Sequence, residues 1–433
     1  MIKNKLIIFL KDRFVSKSLK VLLLRVGGVI LFFSLTLFLT NNFPTEEVGK
    51  YDFTRSLLLI LGGICLLGTD QAIIFYSGVL KAKNKLGELK RVYKKMMMMI
   101  FTSSTIIVLF FLIIPNSLIN LFFNKSGTSQ LLLKITLSIA AFAITLLNID
   151  TLRALQKPLF SELYRNIYRH ISFLVLAIIL FLTHQTFWLT QAFLFSFFIL
   201  AISSSYRVYN VFKNYNNDYI KQPYSYKAIF KRSFPMALSS ISYFLMQSVD
   251  IILLGKFSDF ETVAYYASAV KIATITSLVL LSVNIIAGPK IAEFYSNNDF
   301  ASLKTIVKKS SRLIILFSIP AILFLFIFSE FILSLFGEHF IVAKKALWIL
   351  LLGQFFRSLS GPIAIYMNMT GKQNKLNQFL FIGLIVNVIL NWICIPVFGM
   401  IGAAFATAFS ILFWNIFAII YSYKKDKIKT FIS

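Results

Sequence analysis

Runs of about twenty apolar residues, separated by short polar segments, recur from one end of this chain to the other. That recurrence constrains the fold more than any other feature. An α-helix rises 1.5 Å per residue, so about 20 residues cross the roughly 30 Å hydrocarbon layer of a bilayer. Twelve runs emerge on that criterion, the fifth of them short: 20–41, 56–80, 96–118, 131–152, 170–183, 187–208, 234–256, 263–288, 312–335, 345–369, 376–396 and 400–422. A membrane barrel would need many ten-residue segments of alternating polarity instead, and no such alternation is sustained. Only 14% of the residues are charged and 58% are hydrophobic, with 47 phenylalanines. Soluble domains run near a quarter charged. The reading is an all-α polytopic membrane protein of twelve transmembrane helices.

A net charge of +27 suggests nucleic acid in a soluble protein. Here the basic residues sit between apolar runs, and they alternate. The leader and the segments 81–95, 153–169, 207–232, 290–312, 372–375 and 424–429 hold 34 Lys and Arg, whereas the intervening segments hold six. By the positive-inside rule this predicts both termini on the cytoplasmic side. The first run follows six basic residues, is too long for a signal-peptide core and lacks a small-x-small cleavage site, so it reads as a retained helix. Cys65 and Cys394 lie within apolar runs and imply neither a disulfide framework nor a metal site.

The polar segments also repeat. EVGKY at 47–51 lines up with TVAYY at 262–266, FYS at 75–77 with FYS at 294–296, and LKRVYKK at 89–95 with LKTIVKK at 303–309. Six helices per half is an even number, so the halves enter the membrane the same way round. Such repeats are related by an axis along the membrane normal and bind substrate at their interface. The expected organisation is an N-terminal lobe over 1–206, a cytoplasmic linker over 207–226 and a C-terminal lobe over 227–433, around a central cavity.

Charges inside the apolar runs mark that cavity. Each costs a few kcal/mol in lipid and normally faces water or protein. Arg25 lies in the first run, Asp250 in the seventh, Lys271 in the eighth and Arg357 in the tenth, with Arg55 at a place nearly equivalent to that of Lys271. Gln354, Ser358, Gly361 and Asn368 fall on the side of Arg357 at helical spacing, and Ser240, Tyr243 and Gln247 on that of Asp250. Each charge has a structural alternative: Arg25 and Arg55 snorkelling to the interfaces, Arg357 paired with an acid, and Asp250 paired with Lys271. Asp70 and Asp150 read as structural partners of loop cations, Asn387 and Asn391 as interhelical glue.

The segment FPTEEVGKYDFTRSLLLILGGICLLGTDQAIIFYS at 43–77 resembles the opening block of the Wzx-type polysaccharide-export flippases, within the multidrug/oligosaccharidyl-lipid/polysaccharide exporter superfamily. FPMALSSISYFLMQSVDIILLGKF at 234–257, VAYYASAVKIA at 263–273 and AGPKIAEFYSNND at 287–299 resemble the matching block of the second half, and 371–410 the closing segment. The resemblance implies a fold of two six-helix lobes around a V-shaped cavity. It also implies a transporter that moves undecaprenyl-diphosphate-linked oligosaccharide to the outer leaflet of the bacterial inner membrane by alternating access. The product would be a surface polysaccharide such as O-antigen for lipopolysaccharide, made with a polymerase and chain-length machinery as partners.

That substrate needs cations for its phosphates and amide or aromatic groups for its sugars. Arg25, Arg55, Lys271 and Arg357 are the candidate cations, since guanidinium binds phosphate oxygens bidentately. Gln354 and Tyr243 are candidate sugar contacts, and Asp250 and Asp70 candidates for coupling to H+ or Na+. His170, His184 and His339 lack ligand neighbours at helical spacing, so no metal is expected. No phosphate-cradling Gly-rich loop ends in Lys-Ser/Thr, so neither ATP nor another cofactor is implied. No loop is large enough for a soluble catalytic domain, which predicts a transporter and not an enzyme. An ion-coupled exporter of small molecules or drugs, and an integral polysaccharide polymerase, are the alternatives.

Overall fold

The computed structural model describes residues 13–83, 85–125, 127–215, 224–428 and 430–431, without the side chains of residues 13–19, 22, 82, 239, 240 and 243. Among them all regular structure is helical. Among the described residues nine helices are long and apolar enough to cross a membrane, or ten when one bent pair counts as a single span. The chain is a multi-pass membrane protein.

It forms two compact units. One comprises the residues up to Glu47 with Leu57–Phe244, the other Val48–Ser56 with Leu245 onward. Helix α1 (Arg13–Asn42) leads to α2 (Thr45–Leu66), which starts after Pro44 and carries Glu46 and Glu47 in its first turn, where acids suit the helix dipole. Leu67 and Gly68 then both take left-handed backbone angles, and α3 (Thr69–Ala82) leaves at 43° to α2. A Cβ on Gly68 would lie 2.2 Å from the Ser233 carbonyl oxygen, so the corner admits only glycine. The expected span 56–80 is thus broken near its middle.

In the first unit, after α4 (Leu89–Ile113) and the short α5 (Asn116–Phe123), α6 (Thr128–Ala154) is the buried axis, packed on α3, α4 and α8 (Leu189–Phe212). Between α6 and α8, α7 (Pro158–Leu182) contains one wide turn, Leu163–Tyr168, of π geometry. Asn148 on α6 fastens this core. It accepts from Tyr93 Oη at 2.6 Å and donates to Ser204 and Ser205 at 2.9 and 2.8 Å.

Helix α9 (Tyr226–Phe257) carries residues of both units and is followed by α10 (Phe260–Thr274), α11 (Ser277–Ser296) and α12 (Phe300–Ile327). The basic segment 290–312, expected as a loop, is mostly helix. The long side chains of Lys and Arg favour continued helix, and the chain turns only at Asn297–Asn298–Asp299, where Asp299 caps α12 by accepting from Ser302 N at 3.0 Å.

The expected tenth span, 345–369, is not one helix either. Helix α13 (Lys344–Leu359) stops at Ser360, Gly361 turns left-handed, and Pro362 introduces α14 (Ile363–Met369). A Cβ on Gly361 would lie 2.3 Å from Thr430 O and 2.5 Å from Ser311 Oγ. Broken helices persist at membrane depth only where protein or a polar cavity satisfies the freed backbone groups.

The last helix, α15 (Gln373–Asp426), has 54 residues and would be about 81 Å long if straight, far more than a bilayer core. Gly399, at φ 53° and ψ −132°, reverses it. The Phe379 ring meets those of Phe417 and Tyr421 at 6.3 and 5.8 Å, and Gly402 lies against the Cys394 carbonyl. Those pairings are those of an antiparallel hairpin whose turn separates the expected spans 376–396 and 400–422.

Candidate functional site

The break between α13 and α14 borders a cavity of about 350 Å³ in the second unit. Leu280, Ile285 and Ile363 supply apolar wall. The polar lining comes from Arg357, Asn284, Asn368, Asn415 and the Trp414 indole, with no acidic residue among the described residues that line the cavity. Arg357 stands in the last turn of α13, where the exposed carbonyl ends favour a cation. Asn284 comes from α11, Asn368 from the end of α14, and Trp414 and Asn415 from the returning arm of the α15 hairpin. Gly383 lets the outgoing arm approach Trp414, since a Cβ there would lie 3.1 Å from the tryptophan Cβ.

The cavity amides differ from the structural ones. Asn148 uses both its donors and its oxygen on three neighbours. Asn284 Oδ1, in contrast, is buried with no hydrogen-bond partner among the described residues. Asn415, also in the lining, donates its Nδ2 to the Ile411 carbonyl at 2.7 Å. An amide offers two donors and an oxygen with two lone pairs, so Asn284 presents unused hydrogen-bonding capacity.

The other predicted cations go elsewhere. Lys271, 4% exposed, points its Nζ at both carboxylate oxygens of Asp52, at 2.8 and 2.9 Å. Its expected structural partner, Asp250, is held by other groups. Asp250 Oδ2 accepts from Tyr266 Oη at 2.7 Å and Thr407 Oγ1 at 3.2 Å, and Oδ1 from Ile251 N at 2.9 Å. The alternative pairing of Asp250 with Lys271 is therefore corrected: α9 and α10 turn the acid toward Tyr266 and the lysine toward α2. Arg25 forms a bidentate pair with Glu162, at 2.7 and 3.0 Å, while remaining 43% exposed, and Asn166 Nδ2 supports the same carboxylate at 2.8 Å. Arg55 is half-buried in the segment Val48–Ser56.

Gln354 is buried and accepts from Ser277 Oγ at 3.3 Å, outside the cavity lining. The Tyr243 and Ser240 side chains lie outside the described residues. Asp150 pairs with Arg165 at 2.6 Å, as a loop-cation partner should, whereas Asp70 Oδ1 is buried without a partner among the described residues. Asn391 bonds Asn387 within its own helix, at 2.9 Å to the carbonyl oxygen, and so does not serve as interhelical glue. Among the described residues no three His, Cys, Asp or Glu side chains are grouped to hold a metal.

Sequence reasoning missed Asp52, Glu162, Asn284, Trp414 and Asn415. Asp52 and Glu162 carried a usable signal, since an intramembrane cation demands an acid and few are available. Asn284 and Asn415 carried little, because an isolated amide in an apolar run is commonplace.

The family described as "Polysaccharide biosynthesis protein" matches residues 14–294, and the family described as "MatE" matches residues 235–393. A probable low-salt glycan biosynthesis flippase of Haloferax volcanii, Agl15, is 28% identical over 185 residues, which is 42% of this chain and 39% of that protein. The capsular polysaccharide biosynthesis protein CapF of Staphylococcus aureus is 26% identical over 234 residues, 54% of this chain and 58% of its own. The chain thus matches less than two thirds of the length of either relative. The lipid II flippase MurJ, in an inward closed conformation, superposes with a TM-score of 0.73 over 95% of this chain and 89% of that one. At 16% identity the likeness is one of fold.

Proposed function

Because the chain belongs to the polysaccharide biosynthesis protein family, we propose that it carries undecaprenyl-diphosphate-linked oligosaccharide from the inner to the outer leaflet of a bacterial plasma membrane. It is a flippase-type transporter of the multidrug/oligosaccharidyl-lipid/polysaccharide superfamily and not an enzyme. The relatives act, by their descriptions, in glycan and capsule biosynthesis. One observation carries the reading: a cavity within a membrane-spanning unit is lined by a cation, three carboxamides and an indole, with no acid among the described lining residues. That lining suits an anionic, hydroxyl-rich headgroup. A cavity for a cationic drug would call for carboxylates, which speaks against the drug-exporter alternative.

The same reading takes the α15 hairpin as two spans, the bent α2–α3 pair as one and α9 as one, which gives twelve in two lobes with both termini cytoplasmic. Alternating access would then rock one lobe against the other. Asp250, satisfied by two hydroxyls and one backbone amide, and Asp70 are the proposed groups for coupling to H+ or Na+.

The test is genetic and biochemical. In a strain lacking the protein, lipid-linked glycan should accumulate at the inner leaflet and reach the surface again on complementation. Arg357→Ala should abolish that rescue and Arg357→Lys should keep part of it. Full surface glycan in an Arg357→Ala strain with normal protein abundance would remove Arg357 from the mechanism.

A further inference from the structure

We infer that Asp426, Ile428 and Thr430, at and just beyond the end of the α15 hairpin, form a releasable latch on α14. Seated, the latch fixes one wall of the cavity. Released, it lets that wall swing about the break at Gly361. Such a latch needs only a transporter with a moving wall, so it goes beyond the proposed cargo.

The cavity wall is built across a hinge. Arg357 lines it from α13, before the break, and Ile363, Ala364 and Asn368 line it from α14, after the break, with Gly361 between them. Hinges are a few residues at element ends that absorb a large change of backbone angles. Ser360, Gly361 and Pro362 fit that description, with helix on either side and a glycine at φ 63°. Helix α14 has seven residues, too few to hold a direction by its own hydrogen bonds. Its direction is set by what packs against it.

The three latch residues hold α14 at its start, middle and end. Thr430 O accepts from Ser311 Oγ of α12 at 2.6 Å and lies 2.3 Å from where a Cβ on Gly361 would fall. Ile428 is 4% exposed and shares one apolar cluster with Ile363, Tyr366 and Met367. Asp426 Oδ2 accepts from Tyr366 Oη at 2.6 Å and pairs with Lys372, just past the end of α14. A short segment thus ties the broken helix to a full-length span.

The seat also carries two costs, which make it releasable. Thr430 Oγ1 is buried with no hydrogen-bond partner among the described residues, and Lys427 takes a left-handed backbone angle, φ 57°. A buried hydroxyl without a partner and a left-handed residue other than glycine each raise the energy of the seated state. Segments held by few contacts lie at the low end of local stability, from which moving elements are drawn.

The first test uses the full-length protein with Cys65→Ser and Cys394→Ser, carrying Lys372→Cys and Asp426→Cys, in proteoliposomes. The probe is a short-chain polyprenyl diphosphate bearing a disaccharide. Joining the two cysteines with a bis-maleimide whose spacer contains a disulfide replaces the ion pair by a covalent tie. Transport should fall at least tenfold and return when a reductant cleaves the spacer. An unchanged rate in the cross-linked protein would make the segment a fixed part of the scaffold and overturn the latch.

A second readout is independent of cargo. In the same cysteine-free background, Ala364→Cys reports on the α14 wall through its rate of maleimide labelling. Ile428→Asp should raise that rate at least fivefold and leave Ser268→Cys, buried in α10, unchanged. Equal labelling of Ala364→Cys with and without Ile428→Asp, or the same rise at Ser268→Cys, would overturn the latch, the latter by showing general loosening. If even wild type moves no probe, the proposed cargo fails, and the labelling alone decides the latch.

Discussion

Replacing Lys271 with methionine keeps most of the aliphatic stem and removes the ammonium, leaving Asp52 in a pocket where its side chain is 0% exposed. At about 2.9 Å and an effective dielectric constant near 20, the lost attraction is on the order of 6 kcal/mol. Desolvation of both charges offsets much of that, and breaking one side of a buried pair typically costs about 3–5 kcal/mol, because the remaining charge has no counterion. Lys271→Met should therefore lower the thermal unfolding midpoint in detergent by several degrees, on the order of 5 °C or more. Asp52→Asn alone should do the same. The double variant, which removes both charges, should recover most of the loss. A double-mutant cycle with a coupling energy of about 2 kcal/mol or more is the expected result. If Lys271→Met is as stable as wild type, or if the double variant is no better than either single one, the pair does not hold this part of the unit. The cycle also separates two roles. Recovered stability with recovered export would make Lys271 structural, whereas recovered stability without export would restore it as a substrate contact.

Gly49→Ala should fail to accumulate in the membrane, since its Cβ would fall 1.7 Å from the Phe260 carbonyl oxygen and backbone must move to admit it; normal abundance on an immunoblot would contradict the packing. Arg25→Gln should cost only about 1 kcal/mol in a denaturation assay, because the Arg25–Glu162 pair is half open to solvent and screened. A loss several times larger would mean that the pair is buried in the working protein. Asp250→Asn preserves an acceptor for Tyr266 and Thr407 and should leave the protein folded, yet it should remove the dependence of transport on an imposed H+ or Na+ gradient. Undiminished gradient dependence in proteoliposomes would exclude Asp250 from coupling.

The helical class and the approximate course of the spans were legible because hydropathy is a local property that survives without knowledge of packing. The hairpin in α15 illustrates this, with its turn at Gly399 between two runs already separable by length. Interruptions were less legible. Gly68 and Gly361 sit in runs apolar enough to read as continuous helix, and their left-handed angles follow from close approaches to Ser233 and to Thr430 with Ser311. Arg357 was recognised from its charge and Asn368 from its helical spacing to it, whereas Asn284 and Asn415 were not, since nothing in an isolated asparagine tells which helix it will face.

Taken alone, the order of residues determined that this chain lives in a membrane, crosses it many times as helices and carries its positive charge in alternate segments. Those outcomes depend on transfer free energies counted along the chain. Only the tertiary structure decided which charges meet: Lys271 with Asp52, Arg25 with Glu162, Asp250 with two hydroxyls, and Arg357 with a cavity of amides. Such pairings depend on the rotation and crossing of helices up to 219 residues apart. Packing of many small contacts sets those angles, and no local stretch of sequence encodes them.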